Sequence, residues 1–187
     1  MTKAQPIKNR VTAMTGTDYP IIQAPMGWIA RAQLASAVSN AGGMGVIETA
    51  SGEFDNIRNE VAKMRDLTDK PFGMNVALSY VKGTDIVDFV IKQNIKFVTT
   101  SSGSPNVCTT AFQEAGIKVF HVVPTLDMAL KASGCDHANV LHRPRLLSDN
   151  GPNYTAGELA DYLDGKQMDH VRGAPFHPQT QGKIERW

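Results

Sequence analysis

The feature that most limits this fold is an alternation running from Tyr19 to Val123, in which short apolar runs are each followed by an amphipathic segment. Ile21-Ile22-Gln23-Ala24, closed by Pro25, has the apolar character of a buried strand. Met44–Glu48, Phe72–Leu78, Lys96–Thr100 and Lys118–Val123 repeat it. Between them, Arg31–Ala41 has helical apolar spacing and stops at Gly42-Gly43, as a C-cap does. Glu53–Leu67 places Phe54, Ile57, Val61, Met64 and Leu67 on one helical face, and Asp85–Gln93 and Val107–Ala115 supply two further helices. Strands alternating with helices in this way imply βαβ units and a parallel sheet. Ligands of such sheets sit beyond the carboxyl ends of the strands. The positions to watch are therefore Ala24–Gly27, Glu48-Thr49, Asn75 and Ser101–Gly103.

After Val123 the texture changes. Thr125–Ser133 reads as a helix, and a polar stretch with two histidines and paired arginines follows. Then come a short strand from Arg145, a turn at Asp149-Asn150-Gly151, a helix over Ala156–Gln167, a strand over Asp169–Ala174 and a turn-rich loop. Two parts are expected, 1–124 and 125–187. With 19 Lys+Arg against 18 Asp+Glu, the chain lacks the overall basic charge of a general nucleic-acid binder, though a local site is compatible with it. No apolar run is long enough to span a bilayer, and the start at Met1-Thr2-Lys3 has no signal-like stretch, so no membrane partner and a cytoplasmic setting are expected. Cys108 and Cys135 lack metal or CxxC spacing and read as reduced packing residues.

Five motifs of the first part, in order, carry a resemblance. They are Pro20–Gly27 (PIIQAPMG), Ala41–Gly45 (AGGMG), Phe72–Val76 (FGMNV), Thr99–Gly103 (TTSSG) and Val119–Pro124 (VFHVVP). Together they resemble the nitronate monooxygenase family and its flavin-dependent enoyl-reductase relatives. The resemblance implies an FMN-binding (β/α)8 barrel that oxidises alkyl nitronates. It also implies FMN contacts at Ala24, Pro25, Met26, Gly27 and Asn75, with Ser101 and Gly103 beside them. Asn75 suits a flavin edge because a carboxamide both donates and accepts. His121, within the last strand, reads as a packed histidine rather than a base. The family's phosphate loops and catalytic histidine fall on later strands, for which these 124 residues show no counterpart.

The second part resembles the integrase-type catalytic core of insertion-sequence transposases. The resembling residues are Thr125–Asp136, Arg145–Gly151 and His170–Trp187, with Asp149 and Glu185 separated by 35 residues. The resemblance implies an RNase H-like fold, Mg²⁺ held by Asp149 and Glu185 as catalytic carboxylates, and DNA met by His177, Gln179 and Lys183. The family's first aspartate has no equivalent on the preceding strand. The combined expectation is an α/β hybrid: a partial (β/α)8 barrel of about five βα units joined to a partial RNase H-like core. Both activities are expected to be impaired. An uncovered sheet edge should favour self-association.

Overall fold

Gly42 and Gly43 show how the local code is used. The Gly42 amide donates to the Ser39 carbonyl at 2.9 Å and the Gly43 amide to the Val38 carbonyl at 3.0 Å, with Gly42 at φ 96°, which is a Schellman close to a helix. The helix so ended is α2 (Ala32–Asn40). It follows α1 (Arg10–Thr15) and precedes β1 (Gly45–Ile47). Next come α3 (Phe54–Leu67), β2 (Phe72–Ala77), α4 (Gly83–Lys92), β3 (Phe97–Ser101), a 3-10 turn at Pro105–Val107, α5 (Thr109–Glu114) and β4 (Lys118–His121). Further on are α6 (Leu126–Ser133), β5 (Leu146–Ser148), α7 (Pro152–Thr155), α8 (Gly157–Gly165) and β6 (His170–Arg172). The computed structural model describes residues 5–80, 83–123, 125–133, 135, 145–148 and 152–172. They fall into two units, Met1–Pro124 and Thr125–Trp187.

In the first unit the strands lie in the order β1-β2-β3-β4, all parallel. Spatial order equal to chain order is the arrangement of a βα barrel wall, whereas a doubly wound sheet reverses direction partway. The two faces of the sheet differ as this requires. One packs Ile47, Met74, Val76 and Val98 against Ile57, Val61 and Met64 of α3, Ile86 and Val90 of α4, and Phe112 of α5. The other joins Met44, Val46 and Phe97 to the half-buried Phe120, with the Phe97 and Phe120 rings 5.0 Å apart. Helix α2 has no side-chain cap of its own at Arg31. Instead Glu60 of α3 accepts from the Ala32 amide at 2.9 Å, so the later helix closes the start of the earlier one.

The expected first strand is not a buried strand. Ile21–Ala24 contributes a single parallel bridge, Ile22 to Met44, and Ile21 and Ile22 are 61% and 36% exposed. Two causes are visible. Among the described residues no strand pairs with its outer side, and the Gln23 side chain takes over the ladder. Its Nε2 donates to the Val46 carbonyl at 3.0 Å, and its Oε1 accepts from the Val46 amide at 3.4 Å. The fourth helix is also shorter than its sequence pattern, because Val107 lies in the 3-10 turn and is exposed.

In the second unit β5 and β6 pair in parallel with α8 between them in the chain, a single βαβ unit. Its small core is Leu130, Leu163 and Met168. Tyr162 donates to Asp127 at 2.7 Å and Lys166 pairs with the same carboxylate at 3.2 Å, tying α8 to α6. That bond pushes the Tyr162 phenol up to about 12. The antiparallel hairpin of an RNase H-like core is not among the described residues. No helix among them is long and apolar enough to cross a membrane.

Candidate active site at the carboxyl edge of the sheet

Three loops meet at the carboxyl edge of the first unit. The Ala24–Gly27 stretch is exposed, and alanine at Gly27 would meet no atom within 4 Å of its Cβ. Nothing in the chain's own packing therefore demands glycine there. A planar ligand lying against the backbone would. The adjoining turn is bonded from Ala30 back to the Met26 carbonyl at 2.8 Å and carries Trp28 at φ 65°, in the left-handed region.

Asn75 lies inside β2 rather than after it, opposite Thr99 in the register and 2% exposed. The pleat puts it on the inner face, because its neighbours Met74 and Val76 belong to the helix-covered side. Its Nδ2 donates to the Thr99 carbonyl at 3.2 Å, to Thr99 Oγ1 at 3.0 Å and to Ser101 Oγ at 3.3 Å. All of these bonds use the amide nitrogen, which leaves Oδ1 available to a ligand. Asn75 and Ser101 are thus brought together. Gly103 has a packing role of its own, since a Cβ there would lie 2.7 Å from that of Leu78.

Glu48, directly after β1, is 1% exposed, and its bonds cross two loops. Oε1 accepts from the Trp28 amide at 3.3 Å and pairs with Arg31 Nε at 3.1 Å, while Oε2 accepts from the Ser51 amide at 3.0 Å. Sequence reasoning placed Glu48 at a strand end and gave it no role. The available signal was one carboxylate closing an apolar strand, a place where burial demands a partner. Gln23 was missed in the same way, as the only polar residue of an apolar run.

His121 follows Phe120 and so faces the helix side, away from Asn75. Its Nδ1 bonds the Thr100 hydroxyl, its Nε2 is buried without a partner, and desolvation lowers its pKa below 6.5. Because the folded value is depressed, the unfolded chain takes up a proton first as pH falls. Stability should hold above 6.5 and drop below it, down to the lower folded value. Denaturation midpoints between pH 7.5 and 5 should show this slope, and His121→Phe should flatten it. An unchanged slope in that variant would remove His121 as its source. Cys108, buried with its thiol pushed up by desolvation, is correspondingly unreactive.

Asp149, Glu185, His177, Gln179 and Lys183 lie outside the described residues, so the geometry of the expected Mg²⁺ and DNA site is not seen. Among the described residues no group of three His, Cys, Asp or Glu could hold a metal ion.

Comparison with known proteins places the chain in a family. The nitronate monooxygenase family matches residues 8–139. That match runs past Pro124 and takes in α6, so Thr125–Asp136, read from sequence as integrase-like, lies within it. The chain is 29% identical over 126 residues to a 5-hydroxy-7a-methyl-1-oxo-octahydro-1H-indene-4-carboxyl-CoA dehydrogenase of Mycobacterium tuberculosis, covering 67% of this chain and 35% of the relative. It is 44% identical over 69 residues to a nitronate monooxygenase of Paraburkholderia phytofirmans, covering 37% of this chain and 19% of the relative. The structure of FabK from Thermotoga maritima superposes with a TM-score of 0.67 at 25% identity, covering 89% of this chain and 54% of that one. The chain thus spans well under two thirds of the length of these relatives. A parallel α/β sheet in barrel order, a polar inner edge at Asn75 and a match over most of the chain lead to one conclusion: the chain belongs to the nitronate monooxygenase family.

Proposed function

We propose that residues up to about Val123 form the flavin-facing wall of a (β/α)8 barrel, and that the reaction served is FMN-dependent oxidation of an alkyl nitronate. The observation carrying this reading is the inner carboxyl edge. There Asn75, Thr99 and Ser101 converge, and the backbone of Ala24–Gly27 is open. These residues fit the ring of a flavin. Asn75 would hold its polar edge, Ala24–Gly27 would lie against its plane, and the side chain of Met26, 37% exposed, would shield it from water. Bound FMN would supply the electron acceptor for the oxidation.

Phosphate sites of such barrels use loops after strands seven and eight. The four described strands of the first unit supply no such loop, so residues 1–187 by themselves should bind flavin weakly and through the ring. Visible-absorbance titration should give FMN and riboflavin dissociation constants within about threefold of each other. No uptake of either flavin at saturating concentration would overturn the reading. Turnover assays should include an alkyl nitronate and an alicyclic carboxyl-CoA thioester, because the dehydrogenase relatives overlap most of the chain. The sheet edge at Ile21-Ile22, paired on one side only among the described residues, makes self-association an expected companion.

A second reading concerns the far end. The parallel pair β5–β6, with β5 ending at Ser148 immediately before Asp149, suits a remnant of an integrase-type core that binds Mg²⁺ and DNA. Mg²⁺-dependent nicking of transposon-end DNA, lost on Asp149→Ala and on Glu185→Ala, would support it. Nicking that persists in both variants would remove it.

A further inference from the structure

We propose that Glu48 is the positioning residue of this site, a buried carboxylate that clamps the turn after the first bridge to the loop after β1. Its role deepens the flavin reading, because the turn it holds begins at the backbone that would face the ring.

The geometry is specific. A carboxylate with no exposed side-chain surface needs compensation from several donors. Glu48 finds them on two segments: the Trp28 amide and Arg31 Nε on one side, and the Ser51 amide on the other. Its own amide donates to the Ala30 carbonyl at 3.0 Å, so main chain and side chain grip the same turn. That turn needs holding. Trp28 has a left-handed backbone that a bulky residue disfavours, and the residue is 62% exposed, so side-chain burial contributes little to fixing it. The Arg31 guanidinium, drawn in by Glu48, lies 5.4 Å from the centre of the Trp28 ring and steadies it from one side. The carboxylate thus does for this turn what apolar packing does elsewhere in the unit. Loss of the clamp would free Met26–Arg31 and leave the sheet intact, because Glu48 lies beyond the last paired residue of β1.

The test is amide hydrogen exchange on the full chain, with flavin binding as a second arm. In Glu48→Ala the Trp28 and Ser51 amides should exchange at least about tenfold faster than in the parent, while Met74 and Val98 keep their protection. Glu48→Gln retains an acceptor but loses the charge, and should restore protection at one of the two amides. Should Glu48→Ala fail to fold, Glu48→Gln and Arg31→Met carry the test, the latter speeding exchange at Trp28 more than at Ser51. Unchanged exchange at Trp28 and Ser51 in a folded Glu48→Ala overturns the proposal. So does loss of protection spread evenly over the sheet.

Trp187→Phe makes Trp28 the sole tryptophan of two, so its fluorescence reports the turn alone. In that background added FMN should quench Trp28, and Glu48→Ala should lose most of the quenching while flavin absorbance still shows uptake, with Glu48→Gln in between. Quenching equal in all three overturns the proposal. Absence of flavin uptake by the parent itself overturns the flavin reading, and the exchange arm still decides the clamp.

Discussion

Gly45→Ala should abolish cooperative folding of the first unit, although it adds a single methyl group. A Cβ at Gly45 would lie 1.9 Å from the Ala35 carbonyl oxygen and 2.6 Å from its carbon, both main-chain atoms in the middle of α2. No rotamer change relieves a clash with backbone, so the helix would have to retreat by about 1 Å from the strand. It is not free to do so. Gly42-Gly43 fixes its end, the Glu60 carboxylate its beginning, and Ala32 and Ala35 are fully buried against the sheet. Retreat would open that seam along its length. Overpacking of this kind costs about 3 kcal/mol or more, a large part of the stability of a small domain. Chemical denaturation followed by circular dichroism should show a collapsed or lost transition. Gly27→Ala is the control, because its methyl group meets nothing and its midpoint should stay within about 0.5 kcal/mol of the parent. A normal transition in Gly45→Ala would mean that α2 is far looser against β1 than its contacts indicate.

The same seam shows why some features were legible in sequence and others were not. Ile57, Val61 and Met64 could be read because helical periodicity alone decides which face of α3 meets the sheet. Leu67, last on that stripe and last in the helix, is 47% exposed. The Gly42-Gly43 close was legible because its cause is local. Ile21–Ala24 misled because burial of a strand depends on neighbours to both sides, which a periodicity does not contain. Of the positions that the family motifs single out, Asn75 and Ser101 are brought within 3.3 Å of each other. At Gly103 the packing of Leu78 by itself already requires glycine. Glu48 and Gln23 could not be assigned from sequence, because each works through a partner on another segment: Arg31 for one, the main chain of Val46 for the other. Periodicity finds faces, whereas polar partnerships across segments require the fold.

Asn75→Asp should be the most damaging change at the inner edge, and its pH dependence should reveal the reason. The substitution conserves shape. It replaces the amide donor that faces the Thr99 carbonyl, Thr99 Oγ1 and Ser101 Oγ with a carboxylate oxygen. The two hydroxyls can turn to donate, but the carbonyl oxygen cannot, so an ionised carboxylate would face it at a site 2% exposed. The destabilisation at pH 7.5 should be about 3 kcal/mol or more, against roughly 1–2 kcal/mol for Asn75→Ala, which only leaves acceptors unpaired. Burial raises a carboxyl group's folded pKa above its unfolded value. The neutral acid can donate to the Thr99 carbonyl, so stability is regained below the unfolded pKa and lost as pH rises through the folded one. Denaturation midpoints should therefore recover on going from pH 7.5 to 4.5 in Asn75→Asp relative to Asn75→Ala. Flavin titration adds the functional half. Asn75→Ala, though folded, should bind FMN about tenfold more weakly, the equivalent of one lost hydrogen bond of about 1.4 kcal/mol. A folded Asn75→Ala with parental affinity would move the ring contact away from this side chain, and an Asn75→Asp midpoint indifferent to pH would mean that the inner edge is open to water.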